Sequence, residues 1–129
     1  MKITLEAGQG NYSIHSYAAG QICVSAHPSV PKETLTHSCV ILPDHILRDW
    51  PPQIFSDLRA EHFALLLELK PEIVVLGSGD RLRFPAPALT AQLFEQRIGV
   101  EVMNTGAACR TYNILMSEGR RVAAALLMI

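Results

Sequence analysis

Three apolar runs, "EIVVLG", "VEVM" and "VAAALLMI", succeed one another in the second half of the chain, and each pair is separated by a stretch with helical spacing. A short continuous apolar run bounded by turn residues marks a strand buried on both faces, and strands joined through a helix lie parallel. This alternation limits the second half to strand–helix–strand units packed as a sheet with helices against it. "PALTAQLFEQRI" reads as the first connecting helix, with proline at its start and Gly99 after its end. Thr105 is placed to cap a second helix over Gly106–Ser117. Glu118-Gly119-Arg120 then turns the chain into a last strand over Val122–Leu127. "RLRF", after the first glycine bend, extends or flanks the sheet.

The first half adds a different element. "YSIHSYAAGQICVSA" alternates apolar and polar residues and pivots on Ala18-Ala19-Gly20, which predicts a hairpin between Tyr12–Tyr17 and Gln21–Ser25. A hairpin cannot belong to a purely parallel sheet, so the expected class is α/β with a mixed central sheet, an N-terminal β-hairpin and helices packed on the sheet. "SCVILP" supplies a further strand stopped by Pro43. "DHILRDWPPQ" carries two prolines and reads as irregular or as a single turn. From Ser56, which can cap the first turn, a helix is expected to run to Pro71; Ile54, Phe55, Leu58, Leu65, Leu66 and Leu69 form its apolar stripe. No repeat, low-complexity tract or linker interrupts the 129 residues, so residues 1–129 read as one domain.

Composition narrows the partners. Eleven basic against twelve acidic residues leave a formal charge of −1, which argues against nucleic acid and against general attraction to anionic membranes, a local basic patch aside. Cys23, Cys39 and Cys109 are odd in number and lack a CxxC, so the expectation is a reducing cytoplasm and no disulfide framework. "MKITLEAGQG" has no signal-peptide core, and "VAAALLMI" is too short to cross a bilayer. A protein without direct membrane insertion is therefore expected.

Any site is expected beyond the carboxyl ends of the parallel strands, where helix N-termini offer unpaired N–H groups. Two loops qualify: Gly77-Ser78-Gly79 and Asn104-Thr105-Gly106. If their strands are neighbours, both open on one edge and could receive a small anionic ligand. The glycine bend lacks both the third glycine of a dinucleotide fingerprint and the GK[ST] of a P-loop, so its simplest reading is a tight turn. Cys109 is expected to point away from the core near a helix N-terminus, beside Arg110, a setting that lowers a thiol pKa. No histidine stands near it in sequence to act as base. Arg110 and Asn113 share one flank and could hold a carboxylate or phosphate, unless Arg110 pairs with Glu101 or Glu118. Tyr112 is expected at the core boundary with a wet hydroxyl.

His37 and Cys39 could share one strand face, yet two ligands do not make a metal site, and no metal or cofactor is expected. His62 lies in the apolar stripe and reads as a core histidine with a hydrogen-bond partner. No GxSxG, HExxH or paired-carboxylate pattern stands out, so no residue is assigned a catalytic role. Trp50, between polar and proline neighbours in "DHILRDWPPQIF", marks either a partner-contact surface or the cover of a helix end.

"PEIVVLGSG", "FPAPAL" and "IGVEVMNTGAACRTYNILMSEGRRVAAAL" together resemble the family of unknown-function domains that includes a mitochondrial respiratory complex I assembly factor and an adipogenesis-associated domain-containing protein. The similarity extends over nearly the whole chain, including "YSIHSYAAGQICV" and "LRDWPP". Matching motif positions are Gly77, Gly79, Glu101, Met103, Thr105, Arg110, Thr111, Tyr112, Asn113 and Glu118; Ser78 stands where the family pattern has threonine. The resemblance implies a three-layer α/β/α arrangement and a non-enzymatic protein-binding or assembly role, and it carries over no catalytic residue. The chain begins without a mitochondrial targeting extension, as expected of a bacterial cytoplasmic relative. The alternative is a small anionic-ligand binder or enzyme using the two loops. Homodimerisation through the apolar C-terminus, were it an exposed edge, is the third reading.

Overall fold

The computed structural model describes residues 11–26 and 31–129; the N-terminal decapeptide read above lies outside the described residues. The alternating segment forms strands β1 (Ser13–Ala18) and β2 (Gln21–Ser25), paired antiparallel, with Gly20 at φ +73° in the turn. That conformation is open to glycine at little cost. A short strand β3 (Glu33–Leu35), which the alternation did not reveal, pairs with β2 and completes a three-stranded sheet separate from the main one.

The main sheet has five strands: β4 (Cys39–Leu42), β5 (His45–Leu47), β6 (Ile73–Gly77), β7 (Gly99–Met103) and β8 (Val122–Leu126), in the order β5-β4-β8-β6-β7. β6 is parallel to both β7 and β8, whereas β4 is antiparallel to β8 and to β5. The sheet is therefore mixed, as the hairpin-plus-alternation pattern requires. β5 corrects the irregular reading of "DHILRDWPPQ": Pro43 and Asp44 form a tight turn, and the chain pairs back on β4 before the prolines intervene.

Among the described residues three helices cover the two faces: α1 (Ala60–Glu68), α2 (Pro87–Glu95) and α3 (Thr105–Ser117). α1 starts four residues later than Ser56 suggests. The Asp57 carboxylate accepts the backbone N–H groups of Gln53 and Ile54, closing a single 3-10 turn over Phe55–Asp57. Leu58 and Arg59 are then extended, and α1 begins with the Arg59 N–H donating to His62 Nδ1 at 3.0 Å. The expected stripe shifts accordingly, and Ile54 and Leu65 are exposed while Phe63 and Leu66 are buried. Pro71 follows the helix as anticipated, after Lys70 adopts φ +54°.

The strands alternate between two cores. Val40, Leu42, Val74, Leu76, Ala123, Ala125 and Leu127 face α1 and α2, where Trp50 and Phe63 stack edge to face. Cys39, Ile41, Val75, Val122, Ala124 and Leu126 face α3 and the three-stranded sheet. β8, with three consecutive alanines, sits between β4 and β6 and is buried on both faces. Small side chains there let covering layers approach closely, which offsets the weak strand propensity of alanine. The result is the three-layer arrangement, with one outer layer made jointly by α3 and the small sheet.

Candidate functional site

β6 and β7 are parallel neighbours, so their carboxyl ends do deliver Gly77-Ser78-Gly79 and Asn104-Thr105-Gly106 to one edge. The two loops are bonded directly to each other. The Ser78 N–H donates to Met103 O at 2.9 Å, and the Thr105 N–H to Gly79 O at 2.8 Å. The Thr105 hydroxyl accepts the Gly79 N–H at 2.9 Å and donates to Leu127 O at 2.7 Å. Thr105 is fully buried, and a Cβ added to Gly77 would lie 2.8 Å from its hydroxyl and 3.0 Å from its Cα. Glycine is needed here for close approach, and Gly79 at φ +107° needs it for backbone conformation.

The helix cap is Asn104, not Thr105. Its side-chain oxygen accepts the Ala107 N–H at 2.8 Å, while Thr105 is the first helical residue and turns inward. That inward anchor sets the helix phase. Thr105, Ala108, Cys109 and Tyr112 face the core, and Ile114 is 59% exposed. Cys109 is consequently 1% exposed rather than pointing outward. Burial pushes its thiol up to about 12, outweighing the opposing influence of the Arg110 cation. A thiol held protonated inside a core is a packing group, and the reactive-cysteine expectation is corrected on that ground. Cys39 is buried in the same core and likewise pushed up to about 12.

Asn113 and Arg110 share a flank as expected, and both engage β1. Asn113 Oδ1 accepts the Ile14 N–H at 2.8 Å and its amide donates to Ile14 O at 2.7 Å, mimicking a neighbouring strand. The Arg110 guanidinium donates to the Tyr17 hydroxyl, not to Glu101 or Glu118. The Tyr17 ring rests against Gly106, where an added Cβ would meet it at 2.9 Å. Tyr112 is fully buried, and its hydroxyl donates to Tyr12 O at 2.7 Å instead of reaching water.

His62 is a buried histidine bonded to the start of α1, as read from its place in the stripe. His37 is exposed while Cys39 is buried, so the two are not brought to a common site. Trp50 is fully buried, with its indole N–H donating to His62 O at 3.3 Å. It covers the start of α1 and offers no contact surface. The sequence reading missed the opposite edge of the sheet. There, Arg121 donates to Asp44 at 2.8 Å and to the carbonyls of Leu69 and Lys70, beside an open hollow of about 580 Å³ lined also by His45 and Glu68. The arginine and lysine near helix and strand ends were the only signal.

The family model described as "Protein of unknown function (DUF498/DUF598)" matches residues 14–127. The chain belongs to that family. The NADH dehydrogenase (ubiquinone) 1 alpha subcomplex assembly factor 3 of Bos taurus is 38% identical over 91 residues, 69% of this chain and 49% of the relative. The protein of the same name from Danio rerio is 36% identical over 115 residues, 85% of this chain and 66% of the relative. The chain thus spans about half the length of the first of these relatives and somewhat more of the second. A crystal structure of a Bordetella parapertussis protein superposes with a TM-score of 0.83 at 34% identity, covering 94% of this chain and 98% of that one. Among the described residues no helix is long and apolar enough to cross a membrane.

Proposed function

We propose that this chain is a non-enzymatic accessory domain that binds a protein partner in the cytoplasm during assembly of a membrane-bound complex, a respiratory NADH dehydrogenase being the leading case. The observation that carries this reading is the family membership, with relatives named as assembly factors for that enzyme. The geometry of the strand ends is in keeping with it: the polar groups of both loops are engaged by one another and by the C-terminal strand. Deleting the gene in its source organism and resolving membrane complexes on native gels tests the proposal. The expected result is loss of the assembled enzyme with accumulation of partial complexes, restored by the wild-type gene. Unchanged assembly, together with repeated affinity purifications that return no partner, would overturn it.

A second reading is supported by Arg110, an exposed cation on the helix that starts at the shared loop edge. In this reading a small anion binds beside Arg110, Asn104 and the Gly77–Gly79 bend. A ligand-induced thermal shift that disappears in Arg110→Ala supports it, and a metabolite panel without any such shift removes it.

A further inference from the structure

The glycine bend leads into a segment, Asp80–Ala86, that leaves large apolar side chains in solvent. Leu82 is 51% exposed and Phe84 is 70% exposed. Neither belongs to the two hydrophobic cores. Exposed apolar residues on a floppy loop would carry little meaning, but this loop is held. The Ser78 hydroxyl, itself 4% exposed, donates to Arg81 O at 2.7 Å and accepts the Arg83 N–H at 3.2 Å. Pro85 and Pro87 fix the backbone on the far side. The buried hydroxyl of the glycine bend therefore shapes the neighbouring loop.

The loop is also joined to a second exposed segment. The Arg83 guanidinium lies 4.4 Å from the centre of the Phe55 ring, which ties this loop to the segment that carries Ile54, 61% exposed. Charge gives the patch its complement. Among the described residues neither Arg81 nor Arg83 makes an ion pair, and the nearby Asp57 carboxylate is taken by the amides of Gln53 and Ile54. A guanidinium held over an aromatic ring keeps N–H donors free, and these suit a carboxylate.

We infer that Ile54, Phe55, Leu82, Arg83 and Phe84 form a preformed docking surface for an acidic–apolar protein segment, one that presents a carboxylate to Arg83 and apolar side chains to Phe84, Leu82 and Ile54. An arginine beside exposed aromatic and aliphatic anchors is the composition of interface hot spots, and a pinned loop loses little entropy on binding. A lipid surface is the less favoured occupant, because two arginines with Asp80 between them and the bend give little net attraction to anionic headgroups. The inference rests on the partner-binding reading above and names the surface that serves it.

A displayed random-peptide library selected against the intact protein tests the surface. Enriched peptides should place Asp or Glu beside Leu, Ile or Phe. Arg83→Glu and Phe84→Ser should each weaken the selected peptides by about tenfold or more. Ser78→Ala should weaken them with the circular dichroism spectrum unchanged, as expected of a positioning residue, and Ile114→Ser on another face should have no effect. Failure to enrich such peptides, or binding indifferent to Arg83 and Phe84, overturns the inference. So does finding that these variants instead abolish self-association in light scattering or adsorption to phosphatidylglycerol vesicles. The two proposals separate in the deletion strain. Full rescue by the doubly substituted R83E/F84S gene sinks the surface and leaves the assembly role standing, whereas a deletion without phenotype sinks the role itself.

Discussion

The two edges of the central sheet handle polar groups in opposite ways. At the carboxyl ends of β6, β7 and β8, neutral hydroxyls and amides are buried and bonded to one another, with Thr105 at the centre. At the opposite edge, Asp44, Glu72, Arg120 and Arg121 meet in solvent-exposed ion pairs. Buried neutral bonds leave an uncompensated donor or acceptor when one partner is removed, whereas exposed ions return to water. One edge is therefore a structural joint intolerant of change, and the other is a tolerant rim.

Gly77→Ala should produce the largest difference between the edges. Its Cβ would meet the Thr105 backbone and the Leu126 side chain at 3.0 Å, so either β6 or α3 must shift. A loss of about 3 kcal/mol or more in urea unfolding is expected, and a loss under about 1 kcal/mol would show that the joint yields. Lys70→Gly, at the other edge, should stabilise by about 0.5–1 kcal/mol, since φ +54° strains a lysine and not a glycine. An unchanged midpoint would show that the left-handed backbone costs the lysine nothing at this position.

Asp44→Asn should cost less than about 1 kcal/mol, and less again in high salt, because the pair is exposed. A loss comparable to that of Gly77→Ala would erase the contrast. Acid titration gives the smallest effect. The Arg121 guanidinium holds the Asp44 carboxyl below its ordinary value, and the Arg121 N–H, with help from Arg120, does the same for Glu72. Carboxyls depressed in the folded state contribute stability above the ordinary carboxylate range, and that contribution is lost as pH falls below about 4. Asp44→Asn should flatten that acid limb slightly; an identical limb would show that the pair has no thermodynamic weight.

The same contrast explains what the sequence made legible. The hairpin, β6, α2, β7 and β8 follow from local turn chemistry and continuous apolar runs, and all five stand where those signals put them. α1 starts later than its apolar spacing suggests because a carboxylate cap, Asp57, closes a separate turn before it, and Ser56 resembles a cap without being one. α3 lies where its sequence signals put it but is rotated about its axis. Its phase depends on Thr105 bonding to Leu127, a contact across 22 positions that periodicity cannot register. Cys109, expected to point outward, and Tyr112, expected at the core boundary, are consequently both inside the core. The loops were correctly placed on one edge, because parallel neighbours require it. That their donors and acceptors would consume each other was not readable from residue types alone. The exposed Leu82 and Phe84 were equally hidden, since "RLRF" resembles a strand until its pairing is seen.

Thr105 offers the most direct test of the joint. Urea unfolding of Thr105→Ser and Thr105→Val separates the hydroxyl from the methyl group, because serine keeps the first and valine keeps the shape. The account predicts that valine costs about 2–3 kcal/mol, leaving the Gly79 N–H and the Leu127 carbonyl unsatisfied, and that serine costs clearly less. Equal losses, or a valine variant as stable as wild type, would contradict it.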